Sequence, residues 1–367
     1  MRVLQVTGYL PPHYGGVESY VSGLSRELHA MGMEVDVATS EGTAGEGPDT
    51  IQCPASVRVL GNPIMRGLDR VIMEGAHDIV HLHTPPQFPA LQASRACSKV
   101  GVPYVVTYHC DGEVSWRGLG PTIPVFMRTA GRRILDRAER LIVTTVAYAA
   151  TSPYLDGRRY DVIPSGVDTT RFGNAANGLD LRQRLGLGDR FVAGFVGRLV
   201  EHKGVDDLLR AVAMMAPGRA ACLVVGDGPR RGHLVRFARR ERVERAVFTG
   251  PVDDRKLPDY YAAMDVLVLP SRSREEAFGM TLLEAMASGR PVVASRIPGP
   301  SEIALDGFSM TFPPGDVGGL GGCLLRLEGD RGLAERMGRQ ARAMAEERYD
   351  WKGVARRLAD LYQEVVR

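Results

Sequence analysis

The strongest constraint on the fold is an alternation of short apolar runs with longer amphipathic stretches, which occurs in two series along the chain. Such an alternation is typical of a parallel sheet covered by helices. The first series predicts six strands, at residues 2–7, 34–40, 78–83, 104–109, 141–145 and 159–163. The second predicts five strands, at residues 191–196, 221–225, 246–249, 266–269 and 291–295. A chain of 367 residues is long enough for both. We therefore expect an α/β protein with two Rossmann-like, doubly wound domains in tandem.

The two series also predict where the domains begin and end. We expect a first domain over residues 1–170, a linker near residues 165–185 and a second domain over residues 185–348. A break near Asp350 precedes a last helix at residues 351–367, which we expect to pack back on the first domain. In open α/β sheets ligands bind at the carboxyl ends of the strands. Two such domains facing each other would place a ligand site in a deep cleft between them.

Composition excludes several classes of protein. A net charge of +3 is too small for a dedicated nucleic-acid binder. The five cysteines are scattered and form no CxxC pair, which argues against a disulfide framework and a zinc site. The first residues, MRVLQVTGYL, lack the pattern of a signal peptide, and no apolar run reaches the ~18 residues of a membrane span. We predict a cytoplasmic protein that at most touches the inner face of a membrane.

One segment is suited to such a membrane contact. Residues 121–140, PTIPVFMRTAGRRILDRAER, are basic and amphipathic and could rest on an anionic membrane surface. A solvated helix packed on its own sheet explains the same pattern, so both readings stay open. The sequence does not predict an oligomeric state.

Two acids in the second half have the spacing of a ligand site. Glu276 and Glu284 flank the start of a predicted helix that Phe278 and Gly279 open and that continues through Met280 and Thr281. A helix N-terminus attracts an anion, and Gly279 allows a phosphate to come close. Glu284, one turn into the helix, could bind a vicinal diol such as a ribose, and Glu276 could accept hydrogen bonds from sugar hydroxyls. Two solvated acids at a helix end would have the same spacing.

A pair of cations follows the first strand of the second series. Arg198 and Lys203 lie in GRLVEHKG, between a strand end and a helix start, so both can converge on a diphosphate. Only four of the 46 lysines and arginines are lysines. Lys203 is one of them, which favours a role that needs a compact ammonium rather than a guanidinium.

Glycines and histidines mark the ends of strands in the first half. Gly15 and Gly16 follow the first strand, although a tight turn alone would also need glycine. His109 ends a strand in TYHCD, so it should point from the carboxyl edge of the sheet into the expected cleft. His81 and His83 alternate on another strand, and without nearby Asp or Cys ligands we interpret them as cleft-lining or packing groups, not metal ligands.

These motifs, in this order, resemble the family 4 retaining glycosyltransferases of GT-B fold. The resemblance covers nearly the whole chain and rests on PPHYGGVESYVSGLSRELHAMGMEV, DIVHLHTP, VVTYHCD, VIPSGVD, FVGRLVEHKGVDDLL, LVVGDGP, FTGPVDD, MDVLVLPS and EAFGMTLLEAMASGRPVVAS. The last run is the most specific of them. The resemblance implies transfer of a hexose-type sugar from a nucleoside diphosphate to an acceptor hydroxyl with retention of anomeric configuration.

The resemblance also implies roles for single residues. The catalytic set would be His109, Arg198, Lys203 and Glu276, with His109 near the donor sugar. The donor would be bound by Gly16, Arg198, Lys203, Val252, Asp253, Glu276, Phe278, Gly279, Met280, Thr281 and Glu284. The acceptor would be bound in the first domain by Tyr14, Gly15, Gly16, His83 and His109. The acceptor could be a glycan, a lipid-linked sugar or a small metabolite.

Cofactor and donor expectations follow from two further observations. The chain contains no Asp-x-Asp, the usual carboxylate pair for a nucleotide-bound metal, so we predict no metal and no permanently bound cofactor. The base reader should lie around Val252, Asp253 and Lys256. Asp253 could accept from the N1–H and N2–H groups of guanine, which favours GDP-mannose over a UDP-hexose or UDP-HexNAc, although backbone atoms could read uracil equally well.

Departures from the family pattern and rival functions remain. Ser165 replaces a commoner asparagine, and its side chain can still form a local turn bond. A glycine typical of the family is absent at residues 308–310. A dinucleotide-dependent oxidoreductase would need GxGxxG after the first strand, where this chain has GYLPPHYGG. The alternatives left open are a nucleotide-sugar epimerase or phosphorylase of similar fold and a non-catalytic sugar-nucleotide-binding protein.

Overall fold

The chain divides into two compact units. Unit 1 consists of Met1–Gly166 and Trp351–Arg367, and unit 2 of Val167–Asp350. The structure, a computed structural model, describes residues 1–13, 15–59, 61–85, 87–111, 122–173, 177–243, 245–304 and 307–367, and for residues 122–128 the backbone only.

Unit 1 is built on a seven-stranded parallel sheet. Its strands are β1 (Arg2–Val6), β2 (Glu34–Thr39), β3 (Asp49–Gln52), β6 (Ile79–Thr84), β7 (Tyr104–Tyr108), β8 (Arg140–Val143) and β9 (Asp161–Val162), and β4 (Ala55–Val59) with β5 (Asn62–Met65) forms a separate antiparallel hairpin. Its helices are α1 (Gly16–Ala30), α2 (Leu68–Glu74), α3 (Gln87–Val100), α4 (Thr122–Asp136), α5 (Val146–Ala149) and the C-terminal α15 (Trp351–Val366).

The strand order of this sheet is β3-β2-β1-β6-β7-β8-β9, so the chain reverses direction across the sheet between β1 and β6. Helices cover both faces. On one face α15 packs against α1, and their apolar side chains, among them Val21, Leu24 and Leu358, form one core with inward residues of the strands. The last helix belongs to unit 1 because its apolar stripe is buried in this core.

Unit 2 is built on a six-stranded parallel sheet. Its strands are β10 (Phe191–Val196), β11 (Ala220–Val225), β12 (Ala246–Gly250), β13 (Val266–Leu269), β14 (Val292–Ser295) and β15 (Ser309–Phe312). Its helices are α6 (Thr169–Gly173), α7 (Gly178–Arg184), α8 (Val205–Ala213), α9 (Arg231–Arg240), α10 (Leu257–Ala262), α11 (Met280–Ala287), α12 (Pro300–Ile303), α13 (Val317–Gly329) and α14 (Arg331–Arg348), with 3-10 turns at Glu201–Lys203 and Asp254–Lys256.

The order here is β12-β11-β10-β13-β14-β15, so this sheet also reverses, between β10 and β13. The strands are apolar on both sides, and one core lies on each face of the sheet. Fully buried strands of this kind read as continuous apolar runs, which is why the sequence located β10 and β13 to the residue.

The structure differs from the sequence-based prediction in three respects, the linker, the edge strands with the hairpin, and Ser165. Thr169–Gly173 and Gly178–Arg184, expected in the linker between the domains, form α6 and α7 within unit 2. The edge strands β3 and β15 and the β4–β5 hairpin were not predicted. Ser309, where the family has a nearby glycine, begins β15 and pairs with Val292 of β14. The Oγ of Ser165 is buried without a hydrogen-bond partner among the described residues, so the local turn bond that the sequence allows is not formed.

Candidate active site

The reversal point of the sheet in unit 2 brings the predicted donor residues together. Arg198 and Lys203 follow β10, and Glu276 follows β13, its neighbour in the sheet. In doubly wound sheets the loops after two such strands leave in opposite directions and open a crevice at the carboxyl ends, where ligands bind. The sequence spacing alone could not show that these two loops are neighbours.

Close backbone contacts join the two loops. Gly204 has φ of +63°, and a Cβ at this position would lie 2.1 Å from the carbonyl oxygen of Pro270. The backbone N–H of Arg272 donates to the carbonyl oxygen of His202 at 2.7 Å. The Arg272 guanidinium also pairs with Asp206 at 2.7 Å and with Asp207 at 2.6 Å, at the start of α8. The loop after β13 is therefore fixed to the loop after β10 before any ligand binds.

Lys203 and Glu276 form an ion pair across this junction. The Lys203 ammonium donates to Oε2 of Glu276, and the Ser271 hydroxyl donates to the same oxygen at 3.1 Å. Glu276 is buried and Lys203 is half-buried. A half-buried ammonium with one carboxylate partner keeps N–H donors for a second anion, because an ammonium has three.

Arg198 provides a second cation at the same strand end. Its side chain is exposed, and its guanidinium has no hydrogen-bond or ion-pair partner among the described residues. His202, in the same loop, is sensitive to the charges around it, and its Nδ1 lies 3.0 Å from a carboxylate oxygen of Glu275. Burial lowers the pKa of His202, the Glu275 and Glu276 carboxylates raise it, and the positive charges of Lys203 and Arg198 lower it. The loop after β10 is therefore a cationic site.

The N-terminus of α11 lies after Glu276. Gly279 precedes the helix with φ of +92°, a conformation that side chains rarely adopt. The N–H groups of Met280 and Thr281 belong to the first turn and have no acceptor within the helix. The Phe278 side chain is buried in the core of unit 2, so its side chain contributes packing and only its backbone is available to a ligand.

Glu284 is half-buried in α11 and is held by a tyrosine. The buried Tyr261 hydroxyl of α10 donates to Oε2 of Glu284. Burial raises the pKa of Glu284 to about 7, the Tyr261 bond and the charge of Arg171 oppose that rise, and Asp254 adds to it. The carboxyl group is thus oriented, and its proton is lost near neutral pH.

The residues predicted to read the base lie after β12. Asp253 caps the 3-10 turn by accepting from the Arg255 N–H at 2.9 Å, and its carboxylate also pairs with the Arg255 guanidinium at 2.9 Å. These bonds lower the pKa of Asp253 to about 2. Val252 is half-buried against the core, and Lys256 is exposed. The Asp253 carboxylate is therefore already occupied by a neighbouring cation.

In unit 1 the glycine pair lies after β1, beside the reversal point of that sheet. Gly15 caps α1 and Gly16 begins it. A Cβ at Gly15 would lie 2.2 Å from Oε2 of Glu18, the third residue of the helix, so this carboxylate folds back over the helix start. Such a glutamate is the second half of a capping box. Tyr14 lies outside the described residues.

His83 and His109 lie side by side at the ends of neighbouring strands of unit 1. Nδ1 of His83 is 3.1 Å from Nε2 of His109, and the two rings are stacked. His81 contacts neither of these two rings through a hydrogen bond. Its ring nitrogens lie 2.6 Å from the Tyr362 hydroxyl of α15 and 2.7 Å from the Thr107 hydroxyl. Burial lowers the pKa of His81 and of His109 to about 3, so these rings are neutral at physiological pH.

Comparison with known proteins decides the family. The model of glycosyltransferase family 4 matches residues 14–171, and that of the glycosyl transferases group 1 matches residues 190–330. The chain is 32% identical, over 98% of its length and 97% of the relative, to a GDP-mannose-dependent alpha-(1-6)-phosphatidylinositol monomannoside mannosyltransferase of Mycolicibacterium smegmatis. The chain belongs to glycosyltransferase family 4.

Other similar proteins agree with this placement. A D-inositol 3-phosphate glycosyltransferase of Catenulispora acidiphila is 31% identical over 96% of the chain and 90% of the relative. Among solved structures, the sucrose-phosphate synthase of Thermosynechococcus elongatus matches with a TM-score of 0.80 at 22% identity over 99% of this chain and 98% of that chain. Anabaena HepE, solved with UDP-glucose, matches with a TM-score of 0.81 at 23% identity over 99% and 100%. The GT-B fold class predicted from the sequence is confirmed.

Several contacts of this glycosyltransferase were missed by sequence reasoning. Ser271 on Glu276, Tyr261 on Glu284 and Arg272 on α8 all fix predicted residues from positions that carry no motif of their own. The one available signal was Tyr261 itself, a tyrosine on the apolar stripe of a helix. A buried tyrosine usually finds a partner for its hydroxyl.

Two other expectations fall partly outside the structure. In the segment predicted to touch a membrane, Arg132 and Arg133 of α4 are exposed and Ile134 and Leu135 are buried, but the side chains of residues 122–128 lie outside the described set. No helix in the described part of the chain has the length and apolarity to cross a bilayer. The same residues contain no group of three or more His, Cys, Asp or Glu side chains that could hold a metal ion.

Proposed function

We propose that this family 4 enzyme transfers a hexose-type sugar from a nucleoside diphosphate to an acceptor hydroxyl, with retention of anomeric configuration and without a metal ion. The proposal rests on the cationic site at the reversal point of the unit 2 sheet. There Arg198 has no partner among the described residues, and Lys203 is held by Glu276. Two cations at the carboxyl end of β10 match the charge of a departing diphosphate.

The surrounding groups support roles for the rest of the donor. The free N–H groups at the start of α11 suit a phosphate, because the helix dipole favours negative charge there. Glu284, oriented by Tyr261, suits the two hydroxyls of the ribose. Glu276 retains an oxygen that Lys203 and Ser271 do not bond, and this oxygen suits a hydroxyl of the transferred sugar. His109 takes the role near the sugar that the family resemblance implies.

For the reaction we propose a front-face displacement. The acceptor oxygen bonds to the anomeric carbon on the side from which the diphosphate leaves, the bond between that carbon and the phosphate oxygen breaks, and the hydroxyl proton passes to the departing phosphate. A double displacement would need a free carboxylate as nucleophile. Glu276 is paired with Lys203 and Glu284 is bonded by Tyr261, which supports positioning roles for both.

For the donor we propose GDP-mannose first and a UDP-hexose or UDP-HexNAc second. The similarity to a relative named as GDP-mannose-dependent supports the first. The pairing of Asp253 with Arg255 weakens the argument that Asp253 selects guanine, because Asp253 could bind guanine only if the Arg255 guanidinium moved away. For the acceptor we propose a hydroxyl of a glycan, a lipid-linked sugar or a small metabolite. The inositol-based acceptors in the names of two relatives are the first to test.

We expect transfer from at least one nucleotide sugar when GDP-mannose, UDP-glucose and UDP-GlcNAc are each offered with D-inositol 3-phosphate or with phosphatidylinositol monomannoside. Proton NMR of the product would give its anomeric configuration, which should equal that of the donor. Slow hydrolysis of the donor in the absence of acceptor should select the same sugar. Product of opposite configuration would refute the retaining mechanism, and absence of both transfer and hydrolysis with all donors would refute the proposed enzyme activity.

We also expect turnover without a metal ion, because Arg198, Lys203 and the start of α11 can meet the charge of the diphosphate. The rate after dialysis against EDTA should equal the rate before it, and added Mg²⁺ should not raise it. The control is the same dialysis with no chelator, which separates metal removal from loss of folded protein. A rate that EDTA abolishes and Mg²⁺ restores would contradict the proposal.

A further inference from the structure

Six polar side chains of unit 1 are joined end to end by hydrogen bonds. Five of them are buried and one, His109, is half-buried. They come from β1, β6, β7, the residue after β7 and the C-terminal α15 and are, in order, His109, His83, Gln5, Tyr362, His81 and Thr107. Successive polar atoms along this chain are 3.1, 2.7, 3.1, 2.6 and 2.7 Å apart. We call these six residues the histidine chain.

The amide of Gln5 sets the direction of the first half of the chain. In the amide orientation of this structure Oε1 faces Nε2 of His83 at 2.7 Å, and because this oxygen can only accept, Nε2 of His83 carries the hydrogen. A neutral imidazole has one N–H, so Nδ1 of His83 is an acceptor. Nε2 of His109 must then donate to it, which leaves Nδ1 of His109 with a lone pair.

The second half of the histidine chain runs in the same direction. The Nε2 of Gln5 donates to the Tyr362 oxygen at 3.1 Å, so the Tyr362 hydroxyl is free to donate to Nδ1 of His81. Nε2 of His81 then donates to Thr107. All five bonds are made, and no donor meets a donor. Burial lowers the pKa of all three histidines, so the neutral rings that this pattern requires are the ones present.

We infer that Gln5 is a positioning residue which, through His83, fixes the tautomer of His109 so that it presents the acceptor nitrogen Nδ1. This nitrogen has no partner among the described residues, and the His109 side chain is half-buried rather than enclosed. An acceptor nitrogen can hold a hydroxyl of a sugar but cannot donate to a phosphate oxygen. The helix α15, through Tyr362, orients the Gln5 amide and so takes part in the same selection.

The choice of a sugar hydroxyl as the ligand of His109 rests on the proposed function. The tautomer of His109 does not depend on that function. The full chain labelled with ¹⁵N-histidine has eight histidines to resolve by long-range ¹H–¹⁵N correlation. The His109 signals are assigned by their loss in His109→Gln. We expect His109 to carry its hydrogen on Nε2 in the wild-type protein. A hydrogen on Nδ1 would overturn the inference, even in a protein that transfers no sugar.

The variant Gln5→Met tests the positioning role, because it keeps the side-chain length and removes both polar atoms. We expect the His109 tautomer to become mixed and kcat to fall roughly fivefold to tenfold, the effect of losing about one hydrogen bond. The control is His77→Gln in the same unit, where His77 is buried and bonds Asp36 at 2.8 Å at the opposite end of the sheet. It should lower Tm and leave the tautomer and kcat unchanged.

The outcomes separate the two claims. A mixed tautomer together with a reduced kcat in Gln5→Met supports the positioning role. An unchanged His109 tautomer in Gln5→Met would refute that role whatever happens to Tm. If the wild-type protein hydrolyses and transfers no nucleotide sugar, the proposed function fails, and the NMR spectrum of His109 still decides the tautomer.

Discussion

Replacing Lys203 with alanine should lower kcat by about 10²–10³-fold, the loss typical of removing one preorganised group that stabilises charge in a transition state. Two effects act together. The departing diphosphate loses a cation, and Glu276, buried and bonded to Ser271, is left without its ion-pair partner. Its negative charge then repels the diphosphate instead of holding the ammonium in place.

This double cause has a measurable consequence. The variant Lys203→Ala/Glu276→Gln removes both charges and should recover part of the binding of the free nucleoside diphosphate that Lys203→Ala loses. Residues in contact give non-additive effects in such a cycle. Calorimetry of GDP and UDP binding, run beside steady-state kinetics, separates binding from turnover.

The matched control is Lys99→Ala. Lys99 is another of the four lysines, exposed near the end of α3 in unit 1, and its loss should leave kcat within twofold or so, as expected of a surface substitution. A Lys203→Ala enzyme that keeps most of the wild-type kcat would remove Lys203 from the mechanism and leave Arg198 as the only cation assigned to the diphosphate.

The central strands could be predicted from the sequence because they are buried on both faces. β10, β11 and β13 are continuous apolar runs, and their neighbours in the sheet exclude water from both sides. The strands that were missed are short and lie at edges. In β3, for example, no residue is buried, so the sequence shows no apolar run to identify it. The β4–β5 hairpin was missed for the same reason, because β4 is exposed along most of its length.

The candidate site was predictable to the extent that its residues follow strands. Arg198 and His109 lie within two residues of a strand end, and Glu276 lies in the loop after β13. Parallel topology brings the ends of β10 and β13 to one edge of the unit 2 sheet. Their partners were not predictable, because Tyr362 and Gln5 meet 357 residues apart and Lys203 and Glu276 meet 73 residues apart. Only the strand order shows that the loops after β10 and β13 are adjacent.

The affinity for the donor should rise with pH, through the ionisation of Glu284. Burial raises the pKa of this carboxyl to about 7, so about nine-tenths of it is protonated one pH unit lower and about nine-tenths is ionised one unit higher. The ionised form can accept from both ribose hydroxyls, whereas the protonated form has lost one acceptor. We therefore expect KM for the donor to fall by roughly tenfold between about pH 6 and about pH 8.

Two variants assign this dependence to Glu284. Glu284→Gln should raise KM by roughly 10–100-fold at about pH 8 and flatten the profile, since hydrogen bonds to a charged group contribute about 1.5–3 kcal/mol each. Tyr261→Phe removes a bond that lowers the pKa of Glu284, so the midpoint should move to higher pH. A profile that stays unchanged in Glu284→Gln would place the titrating group elsewhere.

Folding gives an independent check with the same sign. The pKa of Glu284 in the folded protein lies above the ordinary value of 4.5, so the folded state holds this proton more tightly than the unfolded chain. The stability that this proton provides is fully present below about pH 4.5 and is lost as pH rises through about 7. The Tm of the wild-type protein minus the Tm of Glu284→Gln should therefore decrease as pH rises from about 4.5 to about 7.

Because donor binding selects the ionised carboxylate and folding selects the protonated one, donor binding near neutral pH should release a proton. Calorimetry in buffers of different ionisation enthalpy would detect that proton, and binding with no proton release would contradict the ribose role of Glu284.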